Sequence, residues 1–343
     1  MTINELFALQ QELVSYTGPS GCEQERAAFI ADYVRPYADE VFTDALGNLI
    51  VHKKGSGARV MADAHMDTTG FIADYIDERG YVKIFVAGGI ETYTLPGERI
   101  RFKSGAIGVI AAEAKAGIQN KKPEEADIYD LYADLGVKDR ASAESLAAPG
   151  DPAVFATEPY LQGSKMITPY SDDLLGCVIL MAAINEAAAG DNDMYYVFAV
   201  QEEVGCRGAV VAAERVRPEY SLTLEMVAAD DYLSAEEDPS RIRVGAGPVL
   251  RGRDRQTIYD AGFTKLLYEK AAENGIHCQL RYRNAGSNNA QAIQKAGTGA
   301  KVACLSIANR YMHSPAEIVS LKDAAEAVSI VRLLPVLELE RCI

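Results

Sequence analysis

Two of the four histidines fall where an apolar run gives out: His65 in Ala64-His65-Met66-Asp67, and His313 in Tyr311-Met312-His313-Ser314-Pro315. Three acidic positions share that kind of address. Asp172-Asp173 opens a helical segment, Glu202-Glu203 follows the run Tyr195 to Gln201, and Glu225 follows Tyr220 to Leu224. Carboxylates just past an apolar strand contribute little to packing, and the C-terminal edges of strands are where open α/β sheets put their ligands. Taken singly, each residue has a plainer reading. A lone histidine is most often a hydrogen-bonded structural residue, Asp172 would make a good helix N-cap, and Glu202-Glu203 would suit a solvated loop. His52 and His277 keep that plain reading. As a set, two imidazoles and several carboxylates form the nitrogen and oxygen mixture that hard or borderline divalent ions take. Two such ions ~3.5–4 Å apart can share one carboxylate and activate a water, so the set predicts hydrolysis assisted by two metals.

The elements that must position these residues begin with two helical patterns, Ile3 to Thr17 and Glu23 to Tyr37, followed by β-rich runs at Glu40 to Thr43, Leu49 to Lys53 and Arg59 to Ala64. From Gly70 to about Lys165 the texture changes to short strand-like runs punctuated by Gly80, Gly88-Gly89, Gly97 and Gly105, which predicts a small β-barrel. Helix and strand signals then alternate again: helix Asp172 to Ala189, strand Met194 to Gln201, helix Cys206 to Arg215 and strand Tyr220 to Glu225. Helix Gln256 to Asn274, strands His277 to Tyr282 and Ala300 to Ile307, and helix Leu321 to Leu334 complete the pattern. The expected fold is α/β, a mixed-sheet α/β/α sandwich holding a co-catalytic di-metal site, with a small β-barrel inserted. In domain terms, residues 1–68 and 166–343 form a discontinuous catalytic domain, interrupted by a β-rich assembly domain over 69–165.

The 343 residues are too many for one small core, and 48% hydrophobic with 24% charged residues is ordinary for a globular chain, which excludes disorder and fibres. A formal net charge of -15 disfavours nucleic acid and anionic membranes as partners. No apolar run approaches the roughly 20 residues of a membrane span, and Met1 to Phe7 lacks the layout of a signal peptide, so a cytoplasmic location is expected. Six cysteines (Cys22, Cys177, Cys206, Cys278, Cys304, Cys342) are dispersed without a CxxC pair and read as reduced thiols packed as small hydrophobes.

At these positions the chain resembles the tetrahedral aminopeptidases, also called the glutamyl aminopeptidase family, metallopeptidase family 42, some of whose members were once labelled endoglucanases. The resemblance rests on Ala64-His65-Met66-Asp67 with Gly70-Phe71, on Asp172-Asp173 with Gly176-Cys177, on Gln201 to Gly205 with Arg207-Gly208-Ala209, and on Arg310 to Pro315 with Glu317. It extends through the inserted region, where Tyr132 to Gly136 and Pro149-Gly150-Asp151 match the family's pattern. Four motifs in order make a specific signal where each alone would be weak. The resemblance implies an aminopeptidase that removes N-terminal residues from short peptides with two divalent ions, zinc or cobalt, and that assembles as dimers into a homo-oligomeric dodecamer. It implies that His65 and Glu225 hold one ion, Glu203 and His313 the other, and Asp172 bridges them. Glu202 is then the general base, and Asp67 orients the His65 imidazole by a hydrogen bond.

The chain departs from the family's pattern in four places. Glu225 stands where Asp is usual, Leu174 where Arg is usual, Thr68-Thr69 for Glu-Ile, and Ser287-Asn288-Asn289-Ala290 for Gly-Thr-Asp-Ala. The last change removes a carboxylate near the expected substrate pocket. Two other classes compete with the peptidase reading. A non-catalytic relative would have no physical reason to keep buried carboxylates clustered. A glycoside hydrolase needs two carboxylates ~5–9.5 Å apart flanking a sugar, whereas Glu202 and Glu203 are adjacent, and the chain has no tryptophan to stack on one.

Overall fold

The computed structural model describes residues 1–112, 127–187, 189–233, 241–283 and 286–340. Parts of the expected inserted region, the expected helix end at Ala189 and Cys342 fall wholly or partly outside those residues. The chain opens with α1 (Ile3–Ser15), started by a capping box in which Thr2 and Glu5 satisfy each other's backbone N–H groups, and α2 (Gln24–Val34). Then come β1 (Glu40–Thr43), β2 (Leu49–Lys53), β3 (Arg59–His65), β4 (Gly70–Ile76), β5 (Tyr81–Ala87), β6 (Arg99–Phe102), β7 (Ile107–Ala112) and β8 (Leu131–Asp134). After α3 (Arg140–Glu144) follow β9 (Pro152–Phe155), β10 (Tyr160–Gln162), β11 (Lys165–Thr168), α4 (Ser171–Glu186), β12 (Asp193–Ala199), α5 (Arg207–Val216) and β13 (Tyr220–Ala228). The last elements are β14 (Val249–Arg251), α6 (Ala261–Glu273), β15 (Gln279–Arg281), α7 (Ala290–Ile293), β16 (Lys301–Asn309), β17 (Glu317–Ser320) and α8 (Leu321–Val331).

Eight strands form one mixed sheet in the order β1-β2-β12-β3-β13-β16-β14-β15. Its centre is parallel, with β3 between β12 and β13 and β13 paired to β16. Side chains of these strands alternate between the two faces. Val60, Ala62 and Ala64 of β3 and Tyr196 and Phe198 of β12 pack under α1, α4 and α8, while Met61, Val197 and Ala199 turn to the other face with α5 and α7. Helix α4 is buried on all sides from Ser171 to Ile184, so it is apolar all round rather than amphipathic.

The inserted strands close on themselves in the order β4-β5-β8-β7-β6-β9. Every pairing within that barrel is antiparallel. The α/β architecture with an inserted barrel is as the sequence predicts, with shorter pieces added. Strands β8 and β9 complete the barrel, which ends at Phe155. Beyond it β10 pairs with β11, and β11 pairs with β17, which begins four residues after His313.

Element ends differ from the sequence reading for local reasons. The helix expected from Gln256 begins at Ala261, because the Asp254 carboxylate takes the N–H groups of Gln256 and Thr257 in a turn and Asp260 caps Phe263 N at 2.7 Å. The plainer reading of Asp172, as a helix N-cap, does not hold. Asp172 and Asp173 have non-helical backbone angles, the peptide between them is cis, and the Asp172 side chain faces the two imidazoles. No helix among the described residues is long and apolar enough to cross a membrane.

Candidate metal centre

His65 is the last residue of β3, while Glu202 and Glu203 follow the end of β12. Strand β13 pairs with β3 only as far as Thr223 opposite Asp63 and then runs on beside β16. Continued by two residues, that register brings Glu225 level with His65, whose Nε2 lies 3.8 Å from Glu225 Oε1. Asp172 enters from the start of α4, and His313 from the segment between β16 and β17. All five expected metal ligands thus converge from five separate segments. Their atoms form two trios, His65–Asp172–Glu225 and Asp172–Glu203–His313, each within 4.8 Å.

The hydrogen bonds of the two imidazoles give them a direction. His65 Nδ1 donates to the main-chain oxygen of Asp67 at 3.0 Å, with Asp67 Oδ1 3.3 Å away, and His313 Nδ1 donates to the main-chain oxygen of Gly89 at 2.7 Å. That leaves both Nε2 atoms turned inward. His65 Nε2 is 3.4 Å from Asp172 Oδ1 and 3.8 Å from Glu225 Oε1. His313 Nε2 is 3.3 Å from Asp172 Oδ2 and 3.6 Å from Glu203 Oε1. Each Asp172 oxygen thus belongs to a different trio. Ligand atoms held ~2.0–2.2 Å from a tetrahedral ion lie ~3.4 Å from one another, close to these separations.

Charge points the same way. Burial pushes Glu203 up to about 8 and Glu225 well above the ordinary carboxylate value, in both cases reinforced by the Asp172 carboxylate. Burial would also raise Asp172, but hydrogen bonds from His313 and His65 hold it well below its usual value. Burial opposes charge on His313, yet Asp172 and Glu203 push its pKa up to about 10, and Asp172 and Asp67 hold His65 well above normal. Asp172 Oδ1 and Glu203 Oε1 are buried without a hydrogen-bond partner. A buried cluster this rich in acceptors is short of positive charge, and the donor set fits two divalent ions.

Asp67, together with residues to which the sequence reading gave no role of their own, holds the centre in shape. Glu317 is wholly buried and accepts from Ser171 N, the Ser171 hydroxyl, Asn309 Nδ2 and His313 N, tying the Asp172 segment to the His313 segment. It supports a backbone in which Tyr170 and His313 have φ of 61° and 62°, a left-handed conformation that costs a side-chain-bearing residue free energy. The Asp67 carboxylate does more than face His65. It accepts Glu202 N at 2.9 Å and Glu203 N at 3.2 Å, so it also fixes the two glutamates. Arg26, fully buried, donates to the main-chain oxygens of Leu13, Tyr16, Gly18 and Met66 and thereby anchors the turn that carries Asp67. Gly88 has φ of 90°, and a Cβ there would come 2.9 Å from Thr69 and 3.2 Å from Glu203 Cβ. Only glycine lets the chain pass so near the metal-facing glutamate.

The centre opens into a cleft of about 470 Å³ whose far wall includes Arg251, Arg281, Ser287 and Gln291. Asn289 is buried and is not part of that wall. It hydrogen-bonds the buried Asp63 carboxylate, which also accepts from Thr223 Oγ1 at 2.8 Å. Leu174 is buried in the core, and Thr68 meets Arg26 and the Gly18 carbonyl. His52 stacks on Tyr195 and pairs with Asp193 at 2.7 Å, and His277 is exposed, so both stay structural. Cys177, Cys206, Cys278 and Cys304 are buried free thiols, while Cys22 is half-buried.

Fold and centre together suit a hydrolase of the α/β class with room for metal ions, and comparison with known proteins specifies the family. Residues 47–330 match the M42 glutamyl aminopeptidase family, and the chain belongs to it. It is 30% identical over 339 residues to a lysyl aminopeptidase of Pyrococcus furiosus, covering 95% of each chain. An aminopeptidase from the archaeon Desulfurococcus kamchatkensis superposes with a TM-score of 0.91 at 27% identity, over 97% of this chain and 95% of that one. The TET1 peptidase of Pyrococcus horikoshii, which can assemble into a tetrahedron or a large octahedral shell, superposes with a TM-score of 0.85 at 28% identity, over 98% of this chain and 100% of the other. The chain is accordingly a peptidase.

Proposed function

We propose that this peptidase is an aminopeptidase dependent on two divalent metal ions, zinc or cobalt, which removes N-terminal residues from short peptides in the cytoplasm. The observation that carries the reading is the division of Asp172, one oxygen towards His65 and the other towards His313. His65 and Glu225 would hold one ion, Glu203 and His313 the other, with Asp172 bridging. When bound, such ions polarise the scissile carbonyl and make the attacking water more acidic. Glu202 takes the proton from that water and delivers it to the leaving amine. Burial raises its pKa, which makes it a stronger base than a solvated glutamate, and its backbone is fixed by Asp67. Asp67 holds the tautomer of His65 that leaves Nε2 free for an ion. The acidic rim of the centre suits the substrate's α-ammonium group and restricts cutting to the first residue.

The division into a catalytic part, residues 1–68 and 166–343, and an inserted assembly part, 69–165, belongs to the same reading, as does a homo-oligomer built from dimers. The barrel's exposed Tyr75, Phe85, Tyr93, Ile107, Val109 and Tyr129 support a surface that is covered in an assembly. No nucleic acid or membrane partner is part of it. The test is hydrolysis of aminoacyl anilides and their N-acetylated counterparts, before and after chelation and with zinc or cobalt restored. Activity that needs both a free α-amine and added metal is expected; equal cleavage of the acetylated substrates would refute the aminopeptidase reading.

A further inference from the structure

Cys206 stands at the start of α5, on a turn in which Gly205 has φ of 116° and Cys206 itself φ of 53°. The N–H groups of both residues donate to the Glu202 main-chain oxygen, at 2.8 and 2.9 Å. That turn folds the thiol back onto the preceding carboxylate, leaving Cys206 Sγ 3.2 Å from Glu202 Oε1. On its other side, Gln291 Nε2 donates to the same sulfur at 3.2 Å. Burial, with the neighbouring Glu202 charge, pushes the thiol's pKa up, so it keeps its proton and has one hydrogen to give. The direction of the chain is therefore fixed: Gln291 donates to Cys206, and Cys206 donates to Glu202. The second oxygen of Glu202, Oε2, lies 4.0 Å from His65 Nε2, on the side of the metal centre.

We infer that Cys206, braced by Gln291, is a positioning residue for Glu202: it holds Oε1 so that Oε2 alone faces the reacting groups. This rests on the reading above, in which Glu202 moves the proton. A free glutamate can rotate about its terminal torsion and present either oxygen, or neither, to the centre. The thiol removes that freedom without adding charge, and a sulfur is large enough to reach from the turn to the carboxylate. Because Gln291 sits on the cleft wall, the same arm ties the base to the wall that substrate touches.

Cys206→Ala, Cys206→Ser, Gln291→Leu and Glu202→Gln, each loaded with metal, provide the test. A thiol is a weak donor to an ionised acceptor, so kcat of Cys206→Ala should fall about tenfold, with KM and metal content unchanged. Cys206→Ser, whose hydroxyl can donate to the same oxygen, should recover to within about threefold of the parent, and Gln291→Leu should lie between the two. The infrared S–H stretch, isolated as the difference between the parent and Cys206→Ala, should shift towards a weaker hydrogen bond in Glu202→Gln. That signal needs no turnover. Parental kcat in Cys206→Ala, losses confined to KM or metal content, no recovery in Cys206→Ser, or an S–H band indifferent to Glu202→Gln would each overturn the inference. Should Cys206→Ala fail to fold, Cys206→Ser, which also lacks the thiol, serves as the reference for the S–H band, and its kcat and that band decide. Normal turnover by Glu202→Gln would remove the parent reading and this one with it, whereas collapse of Glu202→Gln beside a fully active Cys206→Ala would remove only the positioning role.

Discussion

Glu202 and Glu203 are neighbours in the chain whose carboxylates have different surroundings. Glu202 Oε1 has a thiol partner, whereas Glu203 Oε1 faces His313 at 3.6 Å and has no hydrogen-bond partner. Their glutamine variants should therefore fail differently. Glu202→Gln removes only the basic oxygen, so both metals should stay and turnover should fall ~10²–10⁴-fold. Glu203→Gln removes an anionic ligand, so metal analysis should find less bound ion, with activity partly recovered at high metal concentration. Loss of metal from Glu202→Gln would contradict the assigned roles. The imidazoles add a pH dependence. Without metal, Asp172 and Glu203 hold His313 protonated up to about pH 10, against the cost of burial, and His65 is likewise held well above its ordinary value. An ion must displace those protons, so loading should release protons and apparent metal affinity should weaken as pH falls. Calorimetry in buffers of different ionisation enthalpy measures the proton count directly; metal binding with no proton release at pH 7 would contradict the account.

At the scale of elements, the ends of β3 and β12 were legible in the sequence because apolar runs stop abruptly at groups with no packing role. The supporting residues were not legible. Glu317 serves the Asp172 segment from 145 positions away, and Arg26 reaches Met66 across 40, so neither local pattern nor periodicity signals the contact. Asp172 taken alone had two readings because capping and metal binding draw on the same residue type at the same address. The three-residue strand β14 was missed, whereas β15, equally short, lies within the expected strand His277 to Tyr282. They nevertheless shape the cleft: Arg251 and Arg281 are register partners on these parallel neighbours, so the sheet edge presents two guanidinium groups side by side. Asp230 pairs with Arg281 and Asp254 lies 3.8 Å from Arg251, which offsets part of that charge, but neither aspartate lines the cleft whereas both arginines do. A first residue with a cationic side chain should be disfavoured there. We predict that kcat/KM for lysyl anilide is at least about tenfold below that for glutamyl anilide, with the gap narrowing at high salt. A preference for lysyl substrates would contradict this reading of the cleft.

For the whole molecule, the order of parts explains how one chain builds both the centre and the barrel beside it. The barrel leaves the sheet directly after Asp67 and returns before Asp172, so its base lies beside the metal-facing groups, and Gly89, just past β5, supplies the carbonyl that orients His313. Through that contact the insertion contributes to the centre as well as to the proposed assembly. Light scattering on the purified protein should find a homo-oligomer built from dimers; a monodisperse monomer at working concentration would contradict the assembly role. Asp172 is proposed to lie between two ions, one in each trio of ligands. Anomalous diffraction from crystals of the zinc- or cobalt-loaded protein, collected at the metal absorption edge, tests it most directly. The account predicts two peaks per chain, one among His65, Asp172 and Glu225 and one among Asp172, Glu203 and His313; a single peak, or none at these residues, would contradict it.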